Sequence, residues 1–202
     1  AAIRASFPAL AGDTILLENA GGSQVPAAVP DAIRRHMLED YAQLGAGYPM
    51  SDRATATVAA AHDWIETFVH AGDRGRVILG SSCTQLVNML AEAHGRALAP
   101  GDEIVVFDGG HEANVGAWRR LAERGLVVRE WRCDPETGRA RLADLEPLLS
   151  ERTRLVATVH VSNLLGAIED VRAVADAVHA VGARLCVDGV AYAPHRAIDV
   201  QA

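Results

Sequence analysis

From residue 76 onward, short unbroken apolar runs alternate with stretches of helical periodicity, and few folds accommodate that order. The runs are Val-Ile-Leu at 77–79, Ile-Val-Val-Phe at 104–107, Val-Val at 127–128, Leu-Val-Ala-Thr-Val at 155–159 and Leu-Cys-Val at 185–187. Between them, Leu86, Met89, Leu90, Ala93 and Ala97 recur at helical spacing over about 84–98, and Val171, Val174, Ala175, Val178 and Val181 do the same further on. Strands apolar on both faces and separated by helices build a mostly parallel sheet with helices on each side. The expected fold is α/β: three α/β/α layers around a mainly parallel, mixed sheet. Residues 76–202 would form this domain. Residues 1–75 would be an amino-terminal segment whose helices pack on it, one striped by Val29, Ile33 and Met37 and the other by Val58, Ala61, Ile65 and Phe68. His62 and His70 read as solvated surface.

Composition narrows the functions open to such a domain. Half of the 202 residues are apolar, enough to bury a substantial core, and the formal charge of −7 disfavours a nucleic-acid or acidic-membrane binder. Every one of the 19 basic residues is Arg; the sequence contains no Lys. Cys83, Cys133 and Cys186 are widely spaced, with no C-x-x-C pair. With no signal-like amino terminus, they suggest a reducing cytoplasm without a disulfide framework. No apolar run approaches the roughly 20 residues that span a bilayer, so no membrane role is expected.

Ligands of parallel α/β sheets bind outside the carboxyl ends of the strands. Four loops there carry polar groups: Gly80-Ser-Ser-Cys-Thr-Gln85, Asp108-Gly-Gly-His-Glu-Ala-Asn114, His160-Val-Ser-Asn163 and Asp188-Gly-Val-Ala-Tyr192. Ser82, Cys83 and Thr84 open a helix, whose free N–H groups and hydroxyls make either an ordinary cap or an anion site. The loop is neither a Walker A nor a G-x-G-x-x-G fingerprint. His111 could stack on an aromatic ligand or serve as a structural histidine; with Val115 where a zinc helix needs its second His, no metal site is expected. Asn163 could donate to a phenolate-like oxygen or close an Asx turn, and Asp188 could pair with a cationic ring nitrogen or cap its own turn. A phosphate site, a ring stacker, an oxygen donor and a carboxylate partner are together what pyridoxal phosphate asks of a protein. Upstream, Gly21 and Gly22 follow an apolar run at 16–17 and make either a plain strand-to-helix loop or backbone laid closely against a ligand.

The ordered motifs resemble the class V aminotransferase family of pyridoxal-phosphate enzymes, near the cysteine desulfurases. Leu17-Glu-Asn-Ala-Gly-Gly-Ser-Gln-Val-Pro26 is similar to the family's L-D-N-A-A-x-x-x-x-P, and Ser82-Cys-Thr-Gln-Leu-Val-Asn88 to its G-x-T-E-x-I-N phosphate loop. Gly110-His-Glu-Ala-Asn-Val-Gly-Ala-Trp118 resembles E-H-H-A-N-x-x-P-W, and His160-Val-Ser-Asn-Leu-Leu-Gly166 resembles H-x-S-N-x-x-G. The segment from Val187-Asp-Gly to Ala193-Pro-His195 resembles V-D-G-A-Q-x-A-P-H. The resemblance implies the large cofactor domain of fold type I pyridoxal-phosphate enzymes, truncated. By position it implies Ser82, Cys83 and Thr84 at the cofactor phosphate, His111 stacked on the ring with a possible part in proton transfer, Asn163 at the ring hydroxyl and Asp188 at the ring nitrogen. Ala20 and Gly21 fall at the substrate, an amino acid, and the family implies a homodimer.

Two departures accompany the resemblance. Ala191 stands where many relatives carry Gln or His, removing one donor to the ring oxygen. The family's Schiff-base lysine belongs to an S-x-H-K-like segment beyond Ala202, so the chain reads as the amino-terminal part of a desulfurase-like lyase or class V aminotransferase. The alternative is a non-catalytic binding or interaction module that retains the fold without the lysine.

Overall fold

The computed structural model describes residues 2–202. The chain divides into two compact units, Ala1–Ile78 with Gln201, and Leu79–Val200 with Ala202.

The first unit is helical: α1 (Ala2–Ala5), α2 (Ala28–Glu39) and α3 (Pro49–Phe68). Pro49 opens α3, where its missing N–H costs no helical hydrogen bond. The preceding Gly-Ala-Gly turn is tied to that first turn: Ala46 N–H donates to Ser51 Oγ at 2.8 Å and Gly45 N–H to Thr55 Oγ1 at 3.0 Å. This fastening explains why Ser51 is buried beside Ala54 while the rest of α3 lies nearer the surface. The expected stripe of α2 is present, but Val29, Ile33 and Met37 are all exposed. His62 departs from the solvated reading: its half-buried ring meets the Val77 carbonyl oxygen at 3.1 Å through Nδ1.

The second unit runs α4 (Cys83–Ala97), β1 (Glu103–Phe107), α5 (Glu112–Arg119), a short 3-10 turn (Arg120–Arg124), β2 (Val127–Trp131), α6 (Leu142–Leu145), β3 (Thr153–Val159), α7 (Val171–Ala180) and β4 (Arg184–Asp188). The strands lie in the order β2-β1-β3-β4, and all three pairings are parallel. The fold is thus α/β around a parallel sheet. Period-two alternation sends β1 into two cores: Ile104 and Val106 pack with Ala91, Val115, Trp118 and Leu121, whereas Val105 and Phe107 pack with Trp131, Leu145, Val174 and Val178. Helices α4 and α5 therefore cover one face, α6 and α7 the other. Every residue of β1 is buried, as a central strand requires.

One expected strand is absent from the described sheet. Residues 77–79 form no strand pairing, and Ile78 and Leu79 are exposed. A three-residue apolar run has strand propensity, but a strand exists only where a neighbour shares its backbone hydrogen bonds, and no strand among the described residues pairs with it.

Candidate active site

Parallel pairing brings the carboxyl ends of β1, β3 and β4 to one edge. Val159 pairs with Asp188, and the backbone continues the ladder one step further, with His160 N–H donating to the Asp188 carbonyl at 2.9 Å. The loop after β1 lies against the same place: a Cβ on Gly110 would come within 3.2 Å of Val159 Cγ1. His111 and Asp188 thus share an edge.

The amino terminus of α4 is within reach of the Asp188 charge, which acts on Cys83. Ser82 has extended backbone and its hydroxyl accepts from Gln85 N–H at 3.1 Å, a helix cap. The Gln85 side chain reaches back, its Oε1 accepting from both the Ser81 hydroxyl and the Ser81 N–H. The N–H groups of Cys83 and Thr84, and the Thr84 hydroxyl, find no acceptor among the described residues. Ser82 thus caps the helix, and two first-turn N–H groups remain without acceptors at its positive end. Gly80 allows the tight approach before the helix, since a Cβ there would lie 2.6 Å from Leu86 Cδ2.

His111 is the N-cap of α5. Its Nδ1 accepts from Ala113 N–H at 3.1 Å, which leaves the ring proton on Nε2, and the residue is exposed. Asn114, one turn in, holds α5 to the sheet. It is buried, its Nδ2 donates to the Thr158 carbonyl at 3.0 Å, and its Oδ1 accepts from Trp118 Nε1 at 3.2 Å. Asn114 carries no reading as a site residue in the sequence. The motif containing it was the available signal, but only contacts 44 residues apart reveal what it does.

Asn163 and Asp188 resolve differently. The turn after β3 is closed by Ser162, whose Oγ accepts from Leu165 N–H at 3.3 Å and whose carbonyl accepts from Gly166 N–H at 2.9 Å. The Asn163 amide, half-buried, has no partner among the described residues. Asp188 does cap its own turn, Oδ1 accepting from Val190 N–H at 2.9 Å, while its second oxygen has no partner among the described residues. Partial burial, and then the Asp188 charge, push the Cys83 thiol up from its ordinary value. Cys186 is pushed up to about 11 by burial first and by Asp188 next. Neither is a thiolate at neutral pH, so neither is an activated nucleophile.

The edge also carries a ring pair. His160 and Tyr192 stack with centroids 3.5 Å apart and planes within 7°. In the first unit, Ala20 and Gly21 lie in a turn closed by Gly21 N–H donating to the Glu18 carbonyl at 3.2 Å, beside an open groove lined by Ile15, Leu17 and Gln24. Among the described residues, no group of three or more His, Cys, Asp or Glu is placed to hold a metal, and no helix is long and apolar enough to cross a membrane.

A parallel α/β domain with unsatisfied donors, an unpartnered amide and a half-free carboxylate at one strand-end edge belongs to the open-sheet class, whose ligands bind at that edge. The sequence model of the aminotransferase class-V family matches residues 15–202, and the chain belongs to that family. Over 98% of its length it is 40% identical to the aminotransferase-like protein FGM3 of Gibberella zeae. Over 99% it is 36% identical to a cysteine desulfurase of Dickeya dadantii. It superimposes on the cysteine desulfurase CsdA of Escherichia coli with a TM-score of 0.85 at 28% identity, covering 99% of this chain and 51% of that one. The chain spans 50% of the length of each of the two curated relatives named.

Proposed function

We propose that the chain is the cofactor-holding half of a pyridoxal-phosphate-dependent enzyme acting on an amino acid, of cysteine desulfurase or class V aminotransferase type. The observation that carries this reading is the set of unsatisfied groups at one sheet edge, in a family of pyridoxal-phosphate enzymes. The donors match the ligand in kind. Two free N–H groups and the Thr84 hydroxyl at a helix amino terminus suit a phosphate dianion, an amide suits a phenolate oxygen, and a carboxylate oxygen suits a protonated pyridine nitrogen. Bound there, the cofactor would supply an electron sink for negative charge developing at the α-carbon of an amino acid.

The chain's own groups would share the work as follows. Ser82, Cys83 and Thr84 hold the phosphate. His111 lies over the ring, its Nε2 proton directed away from the Ala113 bond and available for transfer. Asn163 donates to the ring oxygen, the more needed because Ala191 has no donor to offer. Asp188 spends one oxygen on Val190 N–H, which fixes its orientation, and holds a proton on the ring nitrogen with the other. Ala20 and Gly21 present backbone to the substrate. We further propose a homodimer in the cytoplasm, as the family resemblance and the three free cysteines suggest.

With no lysine in these 202 residues, this chain holds the cofactor by noncovalent contacts alone. Charge-assisted hydrogen bonds contribute about 1.5–3 kcal/mol each, so binding is weak and reversible. Borohydride leaves no cofactor on the chain. Titration with pyridoxal phosphate tests the assignment: Asp188→Ala weakens binding and loses the protonated-ring absorbance, whereas Cys83→Ala, which removes no side-chain donor the site requires, changes it little. Equal binding by Asp188→Ala and the parent overturns the reading.

A further inference from the structure

Two rings at the strand-end edge remain unused by the proposed roles. His160 and Tyr192 are both half-buried, belong to neither apolar core, and stack face to face at 3.5 Å within 7° of parallel. Two nearly parallel rings at this separation are in direct van der Waals contact, so neither turn can move away without breaking the stack. Those backbones flank Asp188. His160 N–H donates to the Asp188 carbonyl, and the His160 carbonyl accepts from Glu169 N–H, both at 2.9 Å, which pins His160 to the sheet edge. On the other side the chain turns back: Tyr192 N–H and Ala193 N–H both donate to the Gly189 carbonyl, at 3.0 and 2.8 Å. The Tyr192 carbonyl then accepts from His195 and Arg196 N–H. Gly189 and Val190, the residues between Asp188 and this turn, have no side-chain anchor in either core, and Val190 is exposed. The stack is thus the side-chain fastening between the fixed end of β3 and the turn that carries Val190 N–H to Asp188 Oδ1.

We propose that Tyr192, through its stack on His160, is a positioning residue for Asp188: it holds the 189–193 turn so that one carboxylate oxygen is occupied by Val190 N–H and the other is presented to the cofactor's ring nitrogen. The last clause rests on the function proposed above; the fastening of the turn does not. The charge state of the partner ring agrees with this role. Burial lowers His160 from its ordinary histidine value, which favours a neutral imidazole that stacks without competing for the Asp188 charge.

The experiment uses the 202-residue chain with Tyr192→Ala, Tyr192→Phe, His160→Ala and Asp188→Ala, and two readouts. The first needs no ligand: amide hydrogen exchange at Val190. Exchange about tenfold faster in Tyr192→Ala and His160→Ala, with Tyr192→Phe near the parent, is the expected result for an opened local turn. An unchanged rate in both alanine variants overturns the inference whatever the cofactor does. The second readout uses pyridoxamine phosphate, which binds without needing a lysine, and follows its dissociation constant and the nitrogen NMR shift of an isotopically labelled ring. Tyr192→Ala is expected to bind about tenfold more weakly and to move the ring nitrogen toward its unprotonated shift, with Tyr192→Phe restoring both. Should Asp188→Ala alter binding and shift while the two alanine variants do neither, positioning is overturned and the cofactor reading stands. If instead Asp188→Ala behaves as the parent, the cofactor reading falls, and the exchange rate at Val190 alone decides whether Tyr192 fastens the turn.

Discussion

At Asn114 a single amide decides how α5, and with it His111, is set on the sheet. Its three neighbours, the Thr158 carbonyl, Trp118 Nε1 and the Cys186 thiol, all lie in or against the buried interior. Asn114→Ala leaves the buried Trp118 Nε1 without its acceptor, at about 1–3 kcal/mol, and removes the side-chain donor from the Thr158 carbonyl. The urea midpoint of the second unit is expected to fall accordingly, and a midpoint equal to the parent's refutes the assignment. Cys83 offers a chemical check on the same scale. Its raised thiol, mainly from partial burial and secondarily from Asp188, predicts slow alkylation by iodoacetamide at neutral pH despite its exposure. Asp188→Asn removes only the smaller cause, so the rate rises modestly. Alkylation as fast as a free thiol's in the parent chain contradicts the local electrostatics. Residue by residue, the alternatives left open by the sequence were settled by neighbours remote in the chain: Ser162 closes the turn that Asn163 was equally suited to close, and Asp188 both caps and remains half free.

At the scale of elements, β1 carries a charge into the interior at its first residue. Glu103 is 1% exposed and accepts from Arg129 at 2.9 Å and from the Ser150 hydroxyl at 2.7 Å, with Arg152 near by at 3.5 Å. The Arg129 hydrogen bond, then that of Ser150, holds the Glu103 carboxyl below the usual range. A carboxylate lowered in the folded state contributes stability that is fully present above its unfolded value, about 4.3. That contribution is lost as pH falls through the lower folded value. Glu103→Gln is therefore expected to be less stable than the parent by about 1–3 kcal/mol near neutrality. The difference should shrink in increasingly acid solution. A stability difference that stays constant across acid denaturation removes this account. The helices were legible from periodicity because an amphipathic stripe is a local property. Residues 77–79 show the limit: their composition suits a strand, yet pairing depends on a neighbour that sequence periodicity does not report.

For the whole molecule, the open edge of β4 and the exposed face of α2 bear on association in solution. The outer edge of β4 is unpaired among the described strands, and Ile33, Met37, Leu38 and Tyr41 are exposed along and just beyond α2. Open strand edges and contiguous apolar surface both promote association. The 202-residue chain is expected to show concentration-dependent sedimentation, reduced by Met37→Glu together with Leu38→Glu. A monomer throughout a wide dilution series contradicts this expectation.

Sequence by itself determined the α/β class, the succession of strands along the chain from residue 104 onward, and the polar loops that follow them, because apolar periodicity and turn chemistry are written in neighbouring residues. It also determined, through ordered motifs spread over nearly the whole chain, the family to which residues 15–202 belong. Only the tertiary structure decided which of those loop atoms are already spent. Ser82 Oγ and one oxygen of Asp188 accept from nearby N–H groups, whereas Cys83 N–H, Thr84, Asn163 and the second Asp188 oxygen have no partner among the described residues. The stack of His160 on Tyr192 likewise joins residues 32 positions apart, and no local pattern announces it. The physical reason is common to all of these: a hydrogen bond or a ring contact is a property of two groups in space, and the parallel crossovers, not the chain's local pattern, choose which two groups meet.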